Sequence, residues 1–467
     1  RPMQNKSRAI DKNQRQLRTE REIKPFILSS HAKSRERKCR IIAGFFARIM
    51  PPLFWRPAMQ NLKEILVGIQ MLFVAFGALV LVPLLTNISP AVALLSAGIG
   101  TLCFQLFTGR QVPIFLGSSF AFIAPLIAAI NQWGLAATQG GIIAVSLVYL
   151  VLAVLVRLIG TGFIDRLFPP VVVAPVIMVI GLSLAPAAAN MAMGLTGDGG
   201  AALYAKGPAL ISAGVALAAT IAVALYTRGL TKLLAVFAGI IAGYIAASLL
   251  GLTNFDAVRQ APWFAAPPVT PPAFNLEAIL FLLPVALAPA IEHIGDIAVI
   301  GQICDKPFLK NPGLHRTLAG DGVAIAIAGC LGGPPVTTYS EVTGAVSITG
   351  AKNPRIMTYA ALTAIVLAFS GKLAAILSNM PTPIMGGIML LLFGSIAAMG
   401  ARSLLAPNAR VRSERSVIII AVTLVVGLGH LSIDLGPVHL EGIGLSAIIA
   451  ILLNLVLPQP ADDGNAN

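Results

Sequence analysis

The stretch PPVTTYSEVTGAVSIT, residues 334–349, lies between two long apolar runs and is too short to complete a bilayer crossing as a helix. A bilayer core of ~30 Å needs about 20 helical residues, and prolines cannot donate backbone hydrogen bonds. The stretch opens on Pro334 and Pro335, is interrupted by Gly344 and carries one acid, Glu341. Non-helical backbone at membrane depth must be buried in protein or line a cavity, because unpaired N–H and C=O groups cannot be left in lipid. These residues therefore read as a half-helix beside a cavity, with a carboxylate at its start.

Composition puts this half-helix in a membrane. Of 467 residues, 57% are hydrophobic and 11% charged, where a soluble domain carries about 25% charged residues. Breaking the chain at Gly, Pro, Asn and charged clusters gives fourteen segments: 64–85, 90–108, 113–131, 138–158, 168–192, 208–226, 230–252, 275–300, 315–332, 335–349, 356–378, 384–403, 415–431 and 440–457. Basic residues alternate between the loops, as the positive-inside rule requires of a correct count. Arg110, Arg157, Arg228, Lys306, Lys352, Arg402, Arg410 and Arg412 fall on one side, and Lys206 and Arg259 on the other. The expectation is an all-α polytopic protein of the inner or plasma membrane with both termini cytoplasmic.

The net charge of +14 does not signal nucleic-acid binding, because residues 1–49 hold fourteen Lys/Arg against four Asp/Glu. That basic, aperiodic stretch reads as a disordered extension ahead of a natural start at Met50, in preference to an arm that binds lipid or nucleic acid. Residues 60–457 form the membrane domain and 458–467 a short tail. Cys39, Cys103, Cys304 and Cys330 are scattered, so neither a disulfide nor a metal site is expected.

Fourteen segments suggest two sevens, and an odd number per repeat makes the second copy inverted. FPPVVVAPVIMVIGL from Phe168 and MPTPIMGGIMLLLFG from Met380 share a Pro-to-Gly spacing. The third segment, PIFLGSSFAFIAP from Pro113, and the tenth, from Pro334, are both short and broken. Paired broken segments at matching places point to a transporter's midplane binding site, where free half-helix N–H groups face the ligand. Ser118, Ser119, Thr337, Thr338, Tyr339 and Ser340 add hydroxyls, and Phe120 a face on which a flat ring can stack.

The eighth segment, PVALAPAIEHIGDIAVIG from Pro284, places Glu292, His293 and Asp296 in apolar sequence. Glu292 and Asp296 are one helical turn apart, and ionisable groups in a span face a pathway or a partner. His293 reads equally as a packing residue satisfying a backbone carbonyl, and Gly344 as a point where the tenth segment packs closely on this one. Buried acids held near one another can bind and release a proton, and a proton entering down a membrane potential supplies ~2.3 kcal/mol per 100 mV. The ligand that fits is a small, flat heterocycle carrying both N–H and C=O groups.

LGSSFAFIAP from Leu116, IEHIGD from Ile291, NPGLHR from Asn311, TTYSE from Thr337 followed by Thr343-Gly344, and MPTPIMGGIMLLLFG together resemble the nucleobase/ascorbate transporter family, nearest its bacterial uracil and xanthine permeases. The resemblance covers about residues 60–457. It implies two inverted seven-segment repeats, a core (segments 1–4 and 8–11) and a gate (segments 5–7 and 12–14), proton symport with no cofactor, and a homodimer. It implies that Glu292 and Glu341 are the substrate-binding acids, that Phe120 stacks on the substrate, and that Ser119, Tyr339 and Ser340 adjoin it. Protons would be coupled through Asp296, Glu292 and Glu341. The chain departs from the pattern in having Asp296 where uracil permeases usually have His and the purine branch Asp. Val342 and Val336 stand where Asn is usual, Met71 where His commonly follows Gln, and Phe393 where Tyr is frequent.

The expected function is proton-coupled uptake of a nucleobase, most simply uracil, with xanthine or another purine as the alternative. An anion exchanger or channel is the alternative of another class, but its ligand would be repelled by Glu292 and Glu341. An intramembrane metalloenzyme lacks its H-E-x-x-H signature.

Overall fold

The computed structural model describes residues 52–229, 231–405, 413–429, 431–435 and 438–458. The basic extension 1–49, Met50, Arg410, Arg412 and all of the tail but its first residue lie outside the described residues. The chain divides into a unit of residues 1–63 and one of residues 64–467. Of the first, the described part is the opening of α1 (Pro52–Leu85).

From α1 the order is α2 (Pro90–Phe107), β1 (Leu116–Ser118), a 3-10 turn at Phe120–Phe122, α3 (Ile123–Ile159), α4 (Gly162–Leu167), α5 (Pro170–Ser183) and α6 (Ala185–Ala192). There follow α7 (Lys206–Tyr226), α8 (Ala235–Leu249), α9 (Asp256–Gln260), α10 (Leu276–Leu282), α11 (Leu287–Cys304) and α12 (Leu314–Leu331). The chain continues through β2 (Val336–Thr338), α13 (Ser340–Thr349), α14 (Pro354–Ala368), α15 (Gly371–Ser378), α16 (Thr382–Leu404) and α17 (Glu414–Leu428). It closes with β3 (Ser432–Leu435), β4 (Val438–Glu441) and α18 (Gly442–Val456).

Among the described residues, seven helical stretches are long and apolar enough to cross a membrane: Asn61–Leu85, Pro90–Phe107, Phe120–Ile159, Pro170–Ala192, Lys206–Tyr226, Leu276–Cys304 and Thr382–Leu404. Their outward surface is also apolar. Leu106, Leu158 and Leu225 are 63%, 75% and 71% exposed, and apolar exposure on that scale suits lipid rather than water. The chain is a multi-pass membrane protein.

With little hydrophobic drive between helices in lipid, small residues that let backbones approach supply the packing. On α16, a Cβ added at Gly386 would lie 2.2 Å from the Ala192 backbone nitrogen, and one at Gly387 would lie 2.2 Å from the Ala213 carbonyl oxygen. Glycine is required at both positions. Gly134, by contrast, takes φ 79° inside α3 and breaks the helix there, which separates the third segment from the fourth.

The all-helical expectation needs one correction. Both broken segments begin as strands, and β1 pairs antiparallel with β2 in the register Leu116↔Thr338, Gly117↔Thr337 and Ser118↔Val336. A second ladder joins β3 to β4. Pro334 and Pro335 prevent a helix from continuing through the tenth segment, so its extended backbone finds partners in the third. Ser119 N–H donates to the Pro335 carbonyl at 3.0 Å, and Leu116 N–H donates to Thr101 Oγ1 at 2.9 Å.

Candidate functional site

Immediately after each strand the chain turns helical, at Phe120 and at Ser340. Neither Ser119 nor Tyr339, the residues at these N-caps, closes its helix with a side-chain hydrogen bond. The first N–H groups of a helix have no intrahelical partner and carry the positive end of its dipole. The β1–β2 ladder thus brings two helix starts to one place.

A small cavity lies there. The third segment lines it with Ser118, Ser119 and Phe120, and the tenth with Thr337, Thr338, Tyr339 and Glu341. Glu292 enters from α11, and α16 contributes Ile396 and Met399. Among the described residues no Lys, Arg or His lines it. The Oγ atoms of Ser118 and Ser119 and Oγ1 of Thr338 are buried without a hydrogen-bond partner, an arrangement that costs free energy until a ligand or water supplies one. Phe120 meets Phe393 edge-on at 5.8 Å and the tilted ring of Tyr339 at 6.3 Å. The Tyr339 hydroxyl accepts from Ala78 N–H at 3.3 Å, which anchors the half-helix start to α1.

The structure thus brings Glu292, Glu341, Phe120, Ser119 and Tyr339 to one cavity, and sets Ser340 and Asp296 beside it. Ser340 Oγ donates to Asp296 Oδ1 at 2.6 Å, so these two residues face each other across the α11–α13 contact rather than lining the cavity. Phe393 touches Phe120 edge-on and is not among the residues that line the cavity. The backbone-carbonyl reading of His293 gives way to two side chains: Nε2 lies 3.1 Å from Thr317 Oγ1 and Nδ1 3.1 Å from Asp321 Oδ2. Gly344 reads from sequence as a close-packing point of α13 on α11, and here the structure differs. A Cβ there meets nothing within 4 Å, because that side of α13 faces open space.

Three residues stand outside the sequence expectations. Ile396 and Met399 are apolar residues in an apolar helix and carry no signal of their own. Asp321 does carry one, since a lone acid in an apolar run is what singles out Glu292.

Two half-helices meeting at a cavity with half-buried carboxylates, inside a multi-pass helical protein, define a membrane transporter. Residues 62–435 match the model of the Permease family (Xan_ur_permease), and the chain belongs to that family. It is 53% identical over 404 residues to the probable uracil permease of Haemophilus influenzae, a match covering 86% of this chain and 96% of that relative. It is 41% identical to the uracil permease of Bacillus subtilis, covering 85% and 93% of the two chains. With the uracil permease of Escherichia coli K12 the identity is 36%, covering 85% and 91%. Among solved structures, the transmembrane domain of a cyanobacterial bicarbonate transporter, BicA, matches with TM-score 0.59 at 15% identity, covering 85% of this chain and 97% of that one. A murine Solute Carrier 26 anion transporter in its inward-facing state matches with TM-score 0.64 at 13% identity, covering 88% and 71%. At such identities the likeness is one of fold alone. The protein is a transporter and not an enzyme.

Proposed function

We propose that this protein takes up uracil across the inner or plasma membrane in symport with protons, by alternating access. The observation that carries the reading is the meeting of Glu292 and Glu341, from two different helices, with Phe120 in one cavity at the starts of two half-helices. Uracil is flat and offers ring N–H donors and carbonyl acceptors. Glu292 and Glu341 accept from the N–H groups, the free half-helix amides and serine hydroxyls donate to the carbonyls, and Phe120 stacks on the ring. The names of the curated relatives point the same way. An anion ligand is disfavoured by two carboxylates with no cation beside them, although the solved structures of similar fold include anion transporters.

Protons serve as the coupling ion, through Asp296, Glu292 and Glu341, and no cofactor takes part. The fourteen segments act as two inverted repeats of seven, with segments 1–4 and 8–11 as the core and 5–7 and 12–14 as the gate. Support for the repeat comes from the Pro–Gly spacing shared by the fifth and twelfth segments, which begin helices with proline in the first turn, and from the pairing of the two broken segments. The working unit is a homodimer in the bilayer with cytoplasmic termini. A purine such as xanthine is the second reading, favoured by Asp296. Uptake of labelled uracil into proteoliposomes, competed by a panel of pyrimidines and purines with and without a proton gradient, tests both. Displacement by xanthine but not by thymine analogues of uracil would favour the second.

A further inference from the structure

Glu292 faces the cavity, and His293, one residue on and rotated by about 100° around α11, is fully buried against α12. There it sits between Thr317 and Asp321, themselves one helical turn apart, with Phe104 of α2 edge-on at 6.3 Å. The partners restrict where the protons of this trio can lie. The Thr317 hydroxyl has one hydrogen, and it donates to the Leu314 carbonyl at 3.0 Å, which cannot donate in return. With that hydrogen on the carbonyl, Thr317 accepts from Nε2–H at 3.1 Å; turned to Nε2 instead, it leaves the ring hydrogen on Nδ1.

The other ring nitrogen, Nδ1, lies 3.1 Å from Asp321 Oδ2, an approach out of line with an ideal hydrogen bond. If both atoms were bare, two lone pairs would face each other at this distance with His293 and Asp321 each 0% exposed. One proton therefore lies between them, on Nδ1 or on Oδ2. The titratable groups facing this bridge are Glu292 and Asp296 on α11 and Tyr149 on α3. Glu341 of α13 acts on it through Asp296. The Tyr149 hydroxyl, Asp321 Oδ1 and Asp296 Oδ2 are buried with no hydrogen-bond partner among the described residues, so acceptors stand ready on both sides of the bridge.

We propose that the His293–Asp321 pair is a second proton site of the transporter, which binds and releases its proton in step with the substrate acids. The proposal rests on the proton-coupled reading above. When a proton leaves the pair for a carboxylate oxygen of Asp296, the neutral imidazole keeps one hydrogen, held on Nδ1 toward the ionised Asp321, and accepts the Thr317 hydroxyl at Nε2; Asp296 becomes neutral, so total charge in the cluster is unchanged. Asp321 is in this sense a positioning residue, acting on the substrate site through α11 rather than touching the substrate.

The test compares wild type, Asp321→Asn and Asp321→Glu in proteoliposomes. Exchange of labelled uracil at equal pH on both sides reports the site, and gradient-driven uptake over a pH series reports the proton. Asp321→Asn keeps the size of the side chain and a donor for Nδ1, so exchange should stay within about threefold of wild type. The pH of half-maximal driven uptake should move by about one unit or more, and Asp321→Glu should bring it back toward wild type. A wild-type pH profile in Asp321→Asn overturns the proposal, as does loss of exchange in both variants. Should neither variant insert, 15N-histidine spectra of the wild-type protein decide, with the His293 signal identified from its loss in His293→Gln. Both ring nitrogens bearing or sharing a proton between about pH 6 and 8 supports the pair, and a bare Nδ1 overturns it. Wild-type protein that exchanges no uracil would instead refute the substrate reading, and the same spectra would still decide the proton site.

Discussion

Ser340 Oγ donates to Asp296 Oδ1 at 2.6 Å, which ties the first turn of α13 to α11 one helical turn beyond Glu292. The bond links the helix that carries Glu341 to the helix that carries Glu292, so the two acids keep a fixed relation. A bond this short suits an ionised acceptor. Asp296→Asn keeps a carbonyl oxygen for Ser340 and removes the capacity to carry a proton as a carboxyl group. Calorimetric affinity for uracil should change little, and accumulation against a gradient should fall to background. Unchanged accumulation would place proton coupling elsewhere.

Ser340→Ala removes the donor and leaves a buried carboxylate oxygen unpartnered, at a cost of about 1–3 kcal/mol. Thermal unfolding in detergent should show a lower Tm than wild type, with Ser340→Thr closer to wild type than Ser340→Ala. Equal melting of all three would mean that the hydroxyl adds nothing.

Phe120 is held by Phe393 and Tyr339 at 5.8 and 6.3 Å, which fixes the plane offered to a substrate ring. Phe120→Ala should weaken uracil binding by about tenfold, the scale of a lost aromatic contact, while Phe120→Tyr should be tolerated better. Identical calorimetric affinities for wild type and Phe120→Ala would remove this ring from the site.

Gly387 and Gly344 make a controlled pair for stability. A methyl group at Gly387 has the Ala213 carbonyl 2.2 Å away, whereas one at Gly344 meets nothing within 4 Å. Gly387→Ala should destabilise by about 1–3 kcal/mol or more, as overpacking does, and Gly344→Ala should be close to neutral. Melting temperatures of the two purified variants check the order, and a reversed order would contradict the packing of α16 on α7.

The positions of the seven membrane-length helices among the described residues were readable because a membrane-length apolar run between charged or Pro/Gly breaks is a local property. Pro334, Pro335 and Gly117 marked the broken segments for the same reason. Their pairing as β1 and β2 was not readable, since short strands far apart in the chain carry no mark of their partner. Glu292 and Glu341 stood out because an acid in an apolar run is costly to bury unless it meets a pathway or a partner, and Asp321 has the same mark. That His293 turns to Thr317 and Asp321, and not to a backbone carbonyl, depends on how α11 packs on α12. The open side of α13 at Gly344 likewise depends on tertiary packing, and one glycine reads the same whether it faces a neighbouring helix or open space.

Accumulation of labelled uracil in proteoliposomes under an imposed inward proton gradient, measured for wild type and Glu341→Gln, tests the central claim most directly. For one proton per uracil, a gradient of one pH unit supports about tenfold accumulation. Wild type should approach that ratio and lose it when a protonophore collapses the gradient, and Glu341→Gln, inserted at the same level, should show no accumulation. Saturable, gradient-driven accumulation by Glu341→Gln equal to that of wild type would contradict the assignment of this carboxylate and of the site built around it.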